Sequence, residues 1–132
     1  MTSTIIAGII IRNKKLLLVK GKSYEELWTP GGKVEFKEND EQCLRRELKE
    51  EINAELKKII FFKEYSGVSF YHPNKKINQR IYIATVTGQI KPNTEIEKII
   101  WLSKKDFKNK KYKIIPMIDN EIIEDLIKSN IF

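Results

Sequence analysis

Glu47, Glu50 and Glu51 stand at i, i+3 and i+4. On a helix that spacing makes them neighbours on one face, with Cβ atoms about 5–6 Å apart. Like charges so placed repel by about a few tenths of a kcal/mol per pair. Leu44, Leu48 and Ile52, at i, i+4 and i+8, form an apolar stripe beside them. The acidic face therefore lies at the edge of buried surface, where solvent screens charge less well. Two readings compete. In one, the acids are a solvated face relieved by Arg45, Arg46 and Lys49, with Arg46 and Glu50 as an i, i+4 pair. In the other, converging carboxylates make a hard-oxygen nest for Mg²⁺ or Mn²⁺, and the bound cation cancels the repulsion.

Such a helix needs a start, a stop and a partner loop. Asn39-x-x-Gln42 fits a capping box, so the helix starts at Asn39 or Asp40. Asn53 ends it, because Asn tolerates the left-handed conformation of a C-terminal cap. Ahead of it, Pro30-Gly31-Gly32 closes a loop over 21–30 that contains Trp28, and 33–36 continues extended. Segment 4–12 is rich in β-branched residues and reads as a strand, and 15–20, 56–65, 78–87 and 95–102 read as further strands. A second helix is expected over 119–128, burying Ile122, Ile123, Leu126 and Ile127. Strands interleaved with two helices give an α/β class with a mixed sheet.

Reading on from Gly32 gives five residues, Glu38, seven residues, then Arg46-Glu47-Leu48-x-Glu50-Glu51-x-Asn53-Ala54. This string resembles the Nudix box, G-x5-E-x7-R-E-U-x-E-E-x-G-U, where U is aliphatic. Gly32, Glu38, Arg46, Glu47, Glu50 and Glu51 match its fixed letters. From this composition, a chance match anywhere in the chain is on the order of 10⁻⁵. Asn53 replaces the box's last glycine and Ala54 its last aliphatic residue. Residues 27–35, the Glu95-x-Glu97-x-x-x-Trp101-Leu102 string and residues 116–126 also look like parts of the family. The resemblance implies an α/β/α sandwich around a mixed sheet, with 1–132 as a single domain.

The resemblance also implies hydrolysis of a diphosphate linkage in a nucleoside diphosphate derivative. The residue types suit it. Water cannot attack a diphosphate until its charge is neutralised, and Mg²⁺ does this while orienting the oxygens. Glu50 and Glu51 are the first expected ligands and Glu47 the next. Any of the three can receive the water's proton. A backbone carbonyl of Gly31 or Gly32 can add an oxygen, since glycine lets backbone come close. Glu97 either supplies a further carboxylate or stands as a solvated glutamate, with Glu95 as the fallback for the ligand role. Arg46 is expected to orient the carboxylates and Glu38 to fix the loop to the helix. Trp101 reads as core beside Ile99 and Ile100, the lone His72 as a loop residue, and Cys43 as helix packing.

Substrate choice is less legible. The bare domain and the Asp119-Asn120 pair favour the MutT-like group, which cleaves nucleoside triphosphates to monophosphate and pyrophosphate. Asp119 and Asn120 suit a helix cap, and equally suit reading a purine edge. Tyr71, 17 residues beyond Ala54, matches a tyrosine of the family's dinucleoside polyphosphate hydrolases. The proline of its ADP-sugar hydrolases is absent, position 69 being serine. A noncatalytic nucleotide- or RNA-binding module with this fold is the other class.

Composition bounds the rest. The net charge is +7, but 21 of the 25 cations are Lys, beside 22 Ile and 9 Asn. That bias is spread along the chain rather than gathered as the Arg-rich footprint of a specific nucleic-acid surface. The longest apolar run, Ile5 to Ile11, is far short of the roughly 20 residues of a membrane span. A single cysteine excludes an intramolecular disulfide. The expected setting is the cytoplasm and the expected partner a small nucleotide, for a monomer or homodimer.

Overall fold

The computed structural model describes residues 2–132. Strands β1 (Thr2–Ile9), β2 (Ile11–Arg12), β3 (Lys15–Gly21), β4 (Gly31–Lys33), β5 (Glu55–Val68), β6 (Lys76–Thr87) and β7 (Ile96–Leu102) form two sheets. One is mixed, in the order β4-β1-β6-β5, with β1 and β6 parallel and the other pairs antiparallel. The second is antiparallel, in the order β2-β3-β7. The segment 4–12 is thus not one strand. It breaks at Ile10, whose carbonyl accepts from the Leu17 amide at 2.9 Å, and its two parts join different sheets.

Unbroken apolar runs in β1 and β3 signal burial on both faces. Ile6, Ile10, Leu17 and Val19 pack on one side, against Leu44, Leu48 and Ile52 of helix α1 (Asp40–Ile52). Ala7, Ile9, Leu16 and Leu18 pack on the other, against Ile118, Ile122, Ile123 and Leu126 near the C-terminus. This alternation makes the α/β/α layering, and each fully buried aliphatic side chain contributes about 1.5–3 kcal/mol relative to exposure.

The helix α1 follows its signals closely. Asn39 Oδ1 accepts from the Gln42 amide at 2.8 Å and Gln42 Oε1 from the Asn39 amide at 2.9 Å. Asn53 is left-handed, at φ 57° and ψ 30°. Its side chain also donates to the Gln89 carbonyl at 3.0 Å, a tether that glycine lacks.

Two expectations are corrected. A short helix α2 (Lys104–Lys108) follows Ser103, whose hydroxyl accepts from the Asp106 amide at 3.0 Å. The last helix starts earlier than residue 119, since residues 116 and 117 are already helical. A proline fits a first helical turn because its missing N–H is unneeded there. A π-helical turn (Ile118–Ile122) then leads into α3 (Ile123–Lys128). Asp119 therefore does not cap: its own amide donates to the Ile115 carbonyl at 2.9 Å, inside the helix.

Candidate active site

The diglycine sits where no side chain fits. Gly31 has φ +151°, and a Cβ there would overlap the Ile6 carbonyl oxygen. At Gly32 a Cβ would overlap the Glu47 carboxylate. Pairing of Gly31 with Ala7 and of Gly32 with Ile6 pins both glycines to β1. The loop is thereby pressed onto the acidic face of α1. Gly31→Ala is expected to compromise folding, because the obstruction is fixed backbone. Gly32→Ala is expected to cost little stability, because the obstruction is a side-chain end, but to displace Glu47 and lower activity by about tenfold or more. Thermal melting beside turnover separates the two.

Arg46 organises the glutamates. Its Nε and Nη2 donate to Glu38 at 2.7 and 3.0 Å, and its Nη1 to Glu47 Oε1 at 2.7 Å. Glu50 lies 3.5 Å from the same guanidinium. Hydrogen bonding by Arg46 and by the Glu35 amide lowers the Glu38 pKa to about 2. Glu47 is pushed above its ordinary value, chiefly by burial and against the pull of Arg46.

Glu51 is set apart. Its Oε1 accepts from the Gly31 amide at 2.8 Å. Burial raises its pKa to about 8 despite that bond, helped by the negative charges of Glu47, Glu50 and Glu95. The helix end is fixed by the next loop. The Asn93 amide donates to the Glu51 carbonyl at 3.0 Å and the Thr94 hydroxyl to the Glu50 carbonyl at 3.1 Å. These bonds bring Glu95 to the cleft that Glu47, Glu50 and Glu51 line with Tyr24 and Trp28.

A divalent cation suits this donor set. Several carboxylates face one cleft, and one of them is held protonated near neutrality by burial and by its neighbours' charge. Among the described residues no three such groups already stand in ion-holding geometry. The reason is local, since Arg46 engages Glu47 and Glu50 while Gly31 engages Glu51. Glu97 lies elsewhere: it pairs with Lys20 at 2.9 Å and its side chain is 48% exposed. Glu95, in the turn just before β7, is the acid at the cleft. Gly31 meets the helix through its N–H, and the Gly32 carbonyl accepts from the Cys43 thiol at 3.6 Å. Cys43 is buried, with a pKa pushed up to about 12, mainly by burial.

Next to the cleft lies a cavity of about 600 Å³. Tyr24, Trp28, Phe70, Tyr71, Ile115 and Met117 wall it, and Gly31 and Gly32 reach it. Tyr24 and Trp28 border both hollows. Tyr71 packs on Tyr24 with ring centroids 4.3 Å apart, and its hydroxyl donates to Glu26 at 2.7 Å. His72 is on the same wall. The structure does not bring Asp119 and Asn120 there. Asp119 lies 3.6 Å from Lys110, and Asn120 is exposed beside Glu121 and Glu124 in a separate groove.

Sequence reasoning passed over Tyr24, Thr29 and Gln79, all of which line the cavity. Gln79 did carry a signal. It alternates with Ile77, Ile81 and Ile83, so it is a polar residue on an inward-facing strand position.

Comparison with known proteins gives the family. The family model described as NUDIX domain matches residues 2–125, and the chain belongs to that family, as a MutT-like Nudix hydrolase. By class it is a pyrophosphohydrolase that splits nucleoside diphosphate linkages. An 8-oxo-dGTP diphosphatase of Buchnera aphidicola subsp. Schizaphis graminum is 31% identical over 134 residues, covering 98% of this chain and 97% of that protein. The protein of that name from Buchnera aphidicola subsp. Acyrthosiphon pisum is 36% identical over 75 residues, 56% of this chain but only 58% of that relative's length. Among solved structures, a NUDIX hydrolase from Nitrosomonas europaea superposes with a TM-score of 0.82 at 20% identity, covering 98% of this chain and 90% of that one. At that identity the likeness speaks for the fold. Among the described residues no helix is long and apolar enough to cross a membrane.

Proposed function

We propose that this chain hydrolyses purine nucleoside triphosphates, oxidised dGTP among them, to the monophosphate and pyrophosphate with Mg²⁺ as cofactor. The observation that carries this reading is the shared wall of Tyr24 and Trp28 between an aromatic cavity and an acidic cleft. A base stacks in the first while its phosphates reach the second. The names of the two Buchnera relatives support the oxidised-nucleotide substrate.

Glu47, Glu50 and Glu51 would hold the ion, with Glu95 at the cleft edge. When bound, Mg²⁺ neutralises phosphate charge, orients the oxygens and eases deprotonation of water. The chain's own residues do the rest. Arg46 holds Glu47 in place and ties the helix to the loop through Glu38. The Gly31 amide fixes one oxygen of Glu51. The remaining carboxylate oxygens are free to bind the ion or take the water's proton as it attacks phosphorus. Tyr24 and Trp28 exclude water on the base side.

The test is a substrate screen with Mg²⁺ over 8-oxo-dGTP, dGTP, dATP, dCTP, ADP-ribose and diadenosine polyphosphates. Release of pyrophosphate with a purine monophosphate is expected. Turnover of the last two classes alone would replace the triphosphate reading. Absence of hydrolysis with every nucleotide, alongside tight binding, would favour the noncatalytic module. Asn120→Ala separates base reading from a bystander role. Because Asn120 lies in the other groove, the variant is expected to keep the wild-type substrate ranking, measured as kcat/KM ratios.

A further inference from the structure

Two buried polar residues in the wall of the aromatic cavity are left unused by the metal-site chemistry. Gln79, on β6, is only 8% exposed, and Thr29, just before the diglycine, only 2%. Both line the cavity. The Thr29 hydroxyl is buried and makes no hydrogen bond. A buried, unpaired hydroxyl destabilises the fold unless something outside the chain completes it. Gln79 stands opposite Ile5 across the parallel β1–β6 pair, so its side chain shares the cavity face with Ile5 and Ile77. On that face an amide presents a donor and an acceptor among aliphatic and aromatic carbon.

We propose that Gln79, with the Thr29 hydroxyl beside the diglycine, reads the edge of the purine base and sets base specificity. The inference rests on the triphosphate reading above. The chemistry follows from the groups. A purine edge offers a donor beside an acceptor, and a side-chain amide matches that pair with two hydrogen bonds. An amide can turn over, so Gln79 accepts either a 6-amino or a 6-oxo purine. The apolar wall then penalises any base edge that leaves the amide unpaired, because an unsatisfied buried polar group is costly. Gln79 and Thr29 are specificity residues: they touch the base and stand apart from the carboxylates that act at phosphorus.

Thr29→Val and Gln79→Leu keep volume and remove only polarity, and each gives two readouts in the full chain with Mg²⁺. Thr29→Val removes an unpaired hydroxyl, so thermal melting of the free protein should rise by about a degree or more. Its KM for dGTP and dATP should also rise, by about threefold or more, with kcat changing less. Opposite signs on stability and substrate binding mark a group kept for a ligand; a purely structural residue moves neither KM nor base ranking. Gln79→Leu should raise KM for both purines by about tenfold, with kcat changing less. Mg²⁺-induced stabilisation should match wild type in both variants, showing an intact acidic cleft. If wild type hydrolyses purine triphosphates and both variants keep its KM values and base ranking, this proposal is overturned while the triphosphate reading stands. If wild type hydrolyses no triphosphate, that underlying reading is what fails.

Discussion

Glu51→Gln is expected to lower kcat by at least about a hundredfold. The exchange keeps the size and the bond from the Gly31 amide, since a side-chain amide oxygen accepts as a carboxylate oxygen does. It removes a negative charge that burial already disfavours. The free protein should therefore fold well and melt higher than wild type near pH 8. Charge repulsion from Glu47, Glu50 and Glu95 is relieved at the same time. Lost activity with gained stability identifies a group retained for chemistry. Turnover within a factor of two of wild type would make Glu51 an ordinary buried glutamate and remove it from the site.

The helix that carries Glu51 was legible in the sequence because its signals are local. Asn39 and Gln42 cap each other, Asn53 takes the left-handed turn, and the i, i+4 stripe meets the core, each determined within about a turn of chain. The break at Ile10 was not legible, because Ile5 to Ile11 is uniformly apolar and its change of sheet depends on distant partners. The start of the last helix was misplaced for a related reason: Asp119 and Asn120 have cap-forming side chains, but Pro116 had already opened the helix. In the acidic cleft the uncertainty lay in the second carboxylate source. Alternation along a strand cannot separate Glu95 from Glu97. Hydrogen bonds from Asn93 and Thr94 to the end of α1 put Glu95 on the cleft wall, and those are tertiary. The cavity was least legible, since Tyr24 and Thr29 from one loop and Gln79 from a strand come together without sharing a motif.

Removing divalent ions is expected to abolish activity and to expose a distinctive pH dependence of stability. Chelation by EDTA should reduce turnover to background, and Mg²⁺ or Mn²⁺ should restore it. In the metal-free protein the Glu51 pKa is raised from 4.5 when unfolded to about 8 when folded. A raised carboxyl pKa means that the folded state binds the extra proton. Its stabilising contribution is complete below about pH 4.5 and is lost as pH rises through about 8. At about 1.4 kcal/mol per unit, the loss over that window is on the order of a few kcal/mol. Glu38 works oppositely and in a lower window. Its depressed value adds stability above about 4.5 that fades as pH falls toward 2. Melting temperature in EDTA should therefore decline between about pH 5 and 8, and Glu51→Gln should flatten that decline. Cation binding requires the ionised carboxylate, so Mg²⁺ has to displace the Glu51 proton at low pH but not at high pH. Stabilisation by Mg²⁺ should accordingly be small near pH 5 and larger near pH 8. A Mg²⁺-induced shift that is equal at both values, or a metal-free melting temperature that rises across the window, would show that Glu51 neither carries the proton nor faces the ion.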